Sequence, residues 1–129
     1  MVDCEAEVLT RVQEAVQAVY SNCTVKSEYP RNIKSFPHIY LVLSDNPINT
    51  RRTSDTEYAL PMFTIEIYTM GQGKRAEAKG IASVVDDTMY SMNFERISQT
   101  EVPNLEDATI NRLVLRYQGE TDGKFFYRR

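Results

Sequence analysis

The chain is poor in the residues that hold metals, with one histidine and two cysteines among 129 residues. A zinc-type site needs three or four nitrogen and sulfur donors, so no metal set can be assembled and no cofactor is expected. Cys4 and Cys23 bracket a predicted helix. A rise of about 1.5 Å per residue puts them well over ~20 Å apart, whereas a disulfide tolerates at most about 7 Å between Cα atoms. Both are expected as free thiols. No stretch approaches the roughly 20 apolar residues of a membrane helix. The acidic opening, with Asp3, Glu5 and Glu7, lacks the basic flank and apolar run of a secretory signal. The protein is therefore expected to be cytosolic when made and to have no membrane contact. Charge of one sign is missing too. Fifteen basic residues stand against eighteen acidic ones, for a net charge of −3, too even a balance for sequence-independent nucleic-acid binding.

What is there suits an ordinary folded domain. Apolar content of 42% and charged content of 26% fall in the globular range. The length fits one domain, residues 1–129, with a single modest core. No repeat, low-complexity tract or linker divides it.

Periodicity predicts the elements. Val8, Leu9, Val12, Ala15, Val16 and Val19 mark the apolar face of a helix over 3–20, with Asp3 as its N-cap. A connection follows to Pro37, with a short strand around Thr24 to Lys26. Residues 38–44 form a β-branched and aromatic run that predicts a buried strand. Asp45-Asn46-Pro47 breaks it, and the polar segment 48–55, carrying Arg51 and Arg52, is expected to be an exposed loop. In the strand predicted over 57–70, Phe63, Ile65 and Ile67 alternate with Thr64, Glu66 and Tyr68, the pattern of a half-buried sheet. Pro61 makes its first part an edge or a bulge.

A second helix is expected over 74–92, with Ile81, Val84, Val85, Thr88, Met89 and Met92 on its core face and Asn93 at its left-handed end. Gly80 inside it costs about 1 kcal/mol against alanine, which a close approach of helix to sheet would explain. Strands are expected near 94–100, over 108–118 and at 125–128. The order helix, strand, strand, helix, strand, strand, strand gives an α+β fold: an antiparallel or mixed sheet with two helices packed on one face.

No catalytic constellation emerges. Gly71-Gln72-Gly73-Lys74 lacks the spacing and the Ser or Thr of a phosphate-binding loop. Asp86 and Asp87 point about 100° apart on a helix and are expected to be solvated. Glu106 and Asp107, in the corner, are expected to cap a helix or strand. His38, with no neighbouring acid or nucleophile, reads as structural. No nucleophile, base and orienting group come together, so an enzyme is not expected. The arginines are more informative. Arg112 and Arg116 share the strand face opposite Leu113, Leu115 and Tyr117, Arg51 and Arg52 sit on the loop, and Arg128 and Arg129 end the chain after Tyr127. Arginine suits protein interfaces because its planar fork pairs with carboxylates across them.

The ordered pieces resemble the small tail-terminator (tail-completion) proteins of long-tailed, siphovirus-type bacteriophages. They run from Phe36-Pro37 through Phe63-Thr64-Ile65-Glu66-Ile67-Tyr68, Gly73-Lys74-Arg75-Ala76-Glu77-Ala78 and Asn93-Phe94. Pro103-Asn104-Leu105-Glu106-Asp107-Ala108-Thr109, Arg116-Tyr117-Gln118-Gly119 and Tyr127-Arg128-Arg129 complete them. The resemblance implies a structural virion protein without catalytic residues. Such proteins form a ring of copies of themselves, typically a hexamer, at the head-proximal end of the tail. The ring stops polymerisation of the tail-tube protein and docks the head–tail connector or stopper, while genomic DNA passes through its lumen. It would reside in the virion neck, after assembly in the host cytoplasm. Candidate interface residues are Arg51, Arg52, Arg112, Arg116, Tyr127, Arg128 and Arg129. The alternatives are a head–tail stopper, a minor capsid or neck protein, or a ferredoxin-like module binding a small ligand or RNA.

Overall fold

The computed structural model describes residues 1–31, 33–48, 57–103, 107, 109–124 and 126–127. Helix α1 spans Glu5–Val19 and buries Val8, Val12 and Val16. Cys4, not Asp3, occupies its N-cap position without a side-chain cap bond. Asp3 instead accepts a hydrogen bond from the Glu5 amide at 3.0 Å. The Glu5 carboxylate accepts one from the Leu43 amide at 2.7 Å, tying the helix start to a strand. The apolar stripe stops short of expectation: Val19 is 64% exposed at the last turn, where the chain leaves the helix.

Strand β1 (Thr24–Lys26) pairs in parallel with β2 (His38–Asp45). Antiparallel pairings then join β2 to β3 (Met62–Met70), β3 to β5 (Ile110–Gln118) and β5 to β4 (Glu95–Glu101), for the order β1-β2-β3-β5-β4. Residues β6 (Glu120–Thr121) and β7 (Phe126–Tyr127) form a separate small sheet. The strand expected over 57–70 is shorter, and Ala59 ahead of it bridges both Ile48 and Thr121. Proline at 61, which lacks an amide donor, accounts for the ladder starting after it.

Helix α2 spans Lys74–Ser91 and buries Ala78, Ile81, Ala82, Val85 and Met89. It packs over β3, β4 and β5, while α1 packs over β1 and β2, so both helices cover one face. Under them lie Ile39 and Leu41 of β2, Phe63, Ile65 and Ile67 of β3, and Leu113, Leu115 and Tyr117 of β5, all 3% exposed or less. Register aligns them in rows, with Leu41 opposite Ile65 and Ile65 opposite Leu115. Each such side chain contributes about 1.5–3 kcal/mol by leaving water. Phe94 closes the core between Phe63 and Phe126, each ring centroid 5.5 Å away. The fold is therefore α+β, as the order of elements implies.

Three local expectations change. Gly80 allows a close approach to α1, not to the sheet: a Cβ there would lie 2.4 Å from the Tyr20 hydroxyl. The central strand β3 is not half-buried, because Glu66 and Tyr68 on its second face are each only 7% exposed. Asp86 is not merely solvated, since it accepts the Tyr117 hydroxyl at 2.8 Å and pairs with Arg96 at 3.3 Å.

Candidate interface surfaces

The face of the sheet away from the helices carries the polar alternates of the strands. Glu66 stands at its centre, and one carboxylate oxygen gathers three donors. The Tyr68 hydroxyl donates at 2.8 Å, Arg112 Nε at 2.6 Å and a second Arg112 guanidinium nitrogen at 2.5 Å. Arg112 sits opposite Tyr68 in the β3–β5 register, one step diagonal from Glu66, within reach of a long side chain across strands. Burial, then the bond to Glu66, pushes the Tyr68 hydroxyl well above the usual phenol range. Arg112 therefore lies on the expected face but is held by an intramolecular pair. Arg116, four residues further along the same face, is exposed.

At the other end of the chain Tyr127 is half-buried. Its hydroxyl donates to Asp122 at 2.8 Å and its ring meets Tyr58 edge-on at 5.8 Å. That bond, more than desolvation, pushes its hydroxyl up to about 12. The small β6–β7 sheet is pinned to the core by the Asn93 amide, which donates to the Phe126 carbonyl at 2.9 Å. Arg51, Arg52, Arg128 and Arg129 lie outside the described residues, as does Glu106. Asp107 accepts the Thr109 amide at 2.9 Å and hydroxyl at 2.6 Å, just ahead of β5.

A surface that periodicity could not reveal lies where the first turns of α2 meet the β4–β5 corner. Arg75 grips Glu101 with two bonds, Nε to Oε2 at 3.1 Å and a terminal nitrogen to Oε1 at 2.7 Å. Lys79 stands 3.9 Å from the same carboxylate. The bond from Arg75 holds the Glu101 carboxyl below the usual range. Beside them opens a cavity of about 350 Å³, walled also by Ala78, Val102, Ile110 and Leu113.

No described group assembles nucleophilic or metal chemistry. Burial pushes the Cys4 thiol up to about 11 and the Cys23 thiol up to about 12, away from the thiolate form. Both cysteines are free. Burial, then Lys26, lowers the His38 pKa, and its Nε2 has no hydrogen-bond partner. Among the described residues no three His, Cys, Asp or Glu side chains group as a metal set, and no helix is long and apolar enough to cross a membrane.

No protein-family model matches the chain, and no curated protein matches it in sequence. The fold does have solved counterparts. One is a chain from the virion of a native gene transfer agent particle, with a TM-score of 0.65 at 16% identity, covering 88% of this chain and 90% of that one. Such a likeness, at that identity, establishes a shared fold.

Proposed function

We propose that the chain is a structural protein of a phage-like particle, acting at the head-proximal end of a tail as its terminator. In this reading, copies form a ring, a hexamer in the arrangement its resemblance implies. The ring caps the tail tube, presents a surface to the head connector and leaves a lumen for DNA. One observation carries most of the weight: nearly the whole chain shares its fold with a chain of a virion particle. The described chemistry supports a binding rather than a catalytic role, because its polar clusters are ion pairs and capped turns. A ring also needs two different complementary patches on each subunit, and the Arg116 face and the α2–β4–β5 corner, which meet at Arg112, are two charged surfaces.

The test is the mass of the purified protein alone and with its tail-tube protein, followed by negative-stain imaging. Rings, or monomers that gather as caps on tube ends, are the expected result. A monomer or dimer that leaves tube ends uncapped overturns the proposal. Binding to connector protein instead would then move the chain to the stopper position.

A further inference from the structure

The most exposed aromatic side chains include Tyr29, 71% exposed. It follows exposed Glu28 and precedes Pro30, just past the end of β1. Its ring leans edge-on against Tyr40 at 5.8 Å, so the tyrosine is propped outward rather than loose. Glu28 and Tyr29 are thus an exposed acid and an exposed aromatic ring, adjacent in the chain, beside the edge strand β1. At the opposite edge lies the cavity beside Arg75, Lys79 and Glu101. Its volume of about 350 Å³ is at the small end of ligand-sized pockets, about 300–1,000 Å³, and gives room for one aromatic side chain. Ala78 and Leu113, each 3% exposed, supply apolar wall. Two cations share one carboxylate there. Lys79 is the looser, at 3.9 Å with a half-exposed side chain. The corner therefore has one positive charge to spare.

A projection and a recess on opposite edges of the sheet are what a heterologous, head-to-tail contact requires.

We propose that the recess between α2 and the β4–β5 corner receives the Glu28–Tyr29 projection of a second copy of this chain. Tyr29 fills the cavity against Ala78 and Leu113, and the Glu28 carboxylate pairs with Lys79. This assignment rests on the ring reading above and names its subunit contact. Repeated around an axis, each copy gives its projection to one neighbour and its recess to the other.

The experiment combines crosslinking with substitution. Ser27→Cys, beside the projection, and Ser83→Cys, one turn along α2 from Lys79, are introduced together so that the contact residues stay in place, and the protein is treated with a short bis-maleimide, alone and on tail tubes. The native thiols are buried and leave the reagent to the new pair. A ladder of crosslinked oligomers with the pair, and none beyond dimer with either single variant, is expected. Tyr29→Ala should weaken assembly about 30-fold or more, as loss of a central anchor does. Glu28→Lys and Lys79→Glu should each weaken it, and together restore it. Rings or caps that form equally well with Tyr29→Ala, with no ladder, overturn this contact and leave the ring reading standing. A ladder from rings that never cap tubes keeps the contact and removes the terminator reading. No assembly under any condition overturns both.

Discussion

Two glycines make opposite predictions from contacts that look alike. A Cβ on Gly119 would lie 2.8, 3.0 and 3.2 Å from three atoms of the Phe94 ring, while one on Gly80 would lie 2.4 Å from the Tyr20 hydroxyl. Distance alone ranks Gly80 as the worse place for alanine. Packing reverses the order. Phe94 is 3% exposed and is held between Phe63 and Phe126, so its ring has nowhere to retreat. Overpacking of this kind costs about 1–3 kcal/mol, against a gain of about 0.4–1 kcal/mol from stiffening the unfolded chain. Gly119→Ala should therefore lose about 1–2 kcal/mol net. The Tyr20 hydroxyl is the far end of a half-buried side chain that can swing aside, and a helix-interior glycine replaced by alanine gains about 1 kcal/mol. Gly80→Ala should fall between neutral and about 1 kcal/mol more stable. In a thermal melt followed by circular dichroism, each kcal/mol moves the midpoint by roughly 3–5 °C for a chain of this size. Gly119→Ala as stable as the parent, or Gly80→Ala the more damaging of the two, would refute the packing argument.

Other outcomes follow from the polar groups. Arg112→Met leaves the buried Glu66 carboxylate with only Tyr68. Since the Arg112 side chain is one-third exposed, the cost should be about 1–3 kcal/mol rather than the 3–5 of a fully buried pair. Adding Glu66→Met should recover most of it in urea unfolding, and a single-variant cost under about 0.5 kcal/mol would show the pair to be idle. Stability should also fall on the alkaline side. The unfolded chain gives up its thiol protons near the ordinary value of 9.0, whereas the native Cys4 and Cys23 keep theirs until about 11 and about 12. Unfolding therefore releases protons above pH 9, and the stabilisation present below that value is lost as pH rises through the native values. Melts at successive pH values from 8 to 11 should show a falling midpoint, and a flat profile would contradict the burial of both thiols. At pH 8 a thiol reagent should label neither cysteine until denaturant is added.

Much of the architecture was legible because single elements write their period into the chain. Phe63, Ile65 and Ile67 announced their own strand, Val8, Val12 and Val16 their helix, and Thr24 to Lys26 a short strand. What could not be read was pairing between distant elements. Glu66 and Arg112 are 46 positions apart, and each looks like an ordinary outward residue until β3 and β5 become neighbours. The same holds for Tyr117 with Asp86, and for Arg75 with Glu101 beside the corner cavity. Gly80 misled for a related reason: the close approach was foreseen, but its partner, Tyr20, stands just past the end of the other helix. β6 was not foreseen because it follows β5 after the single residue Gly119 and is defined only by its pairing with β7.

The edge strand β4 has a consequence for how the chain can associate. Six of its seven residues are exposed, charged groups stand at both ends, and its register slips between Arg96 and Ser98. A kinked, charged border is a poor template for another backbone. Copies of this molecule are thus discouraged from adding to one another strand by strand without limit. Recognition is left to side chains whose fit depends on angle. In the ring proposed above, copies would then meet through side chains, and geometry rather than supply would set where the assembly stops.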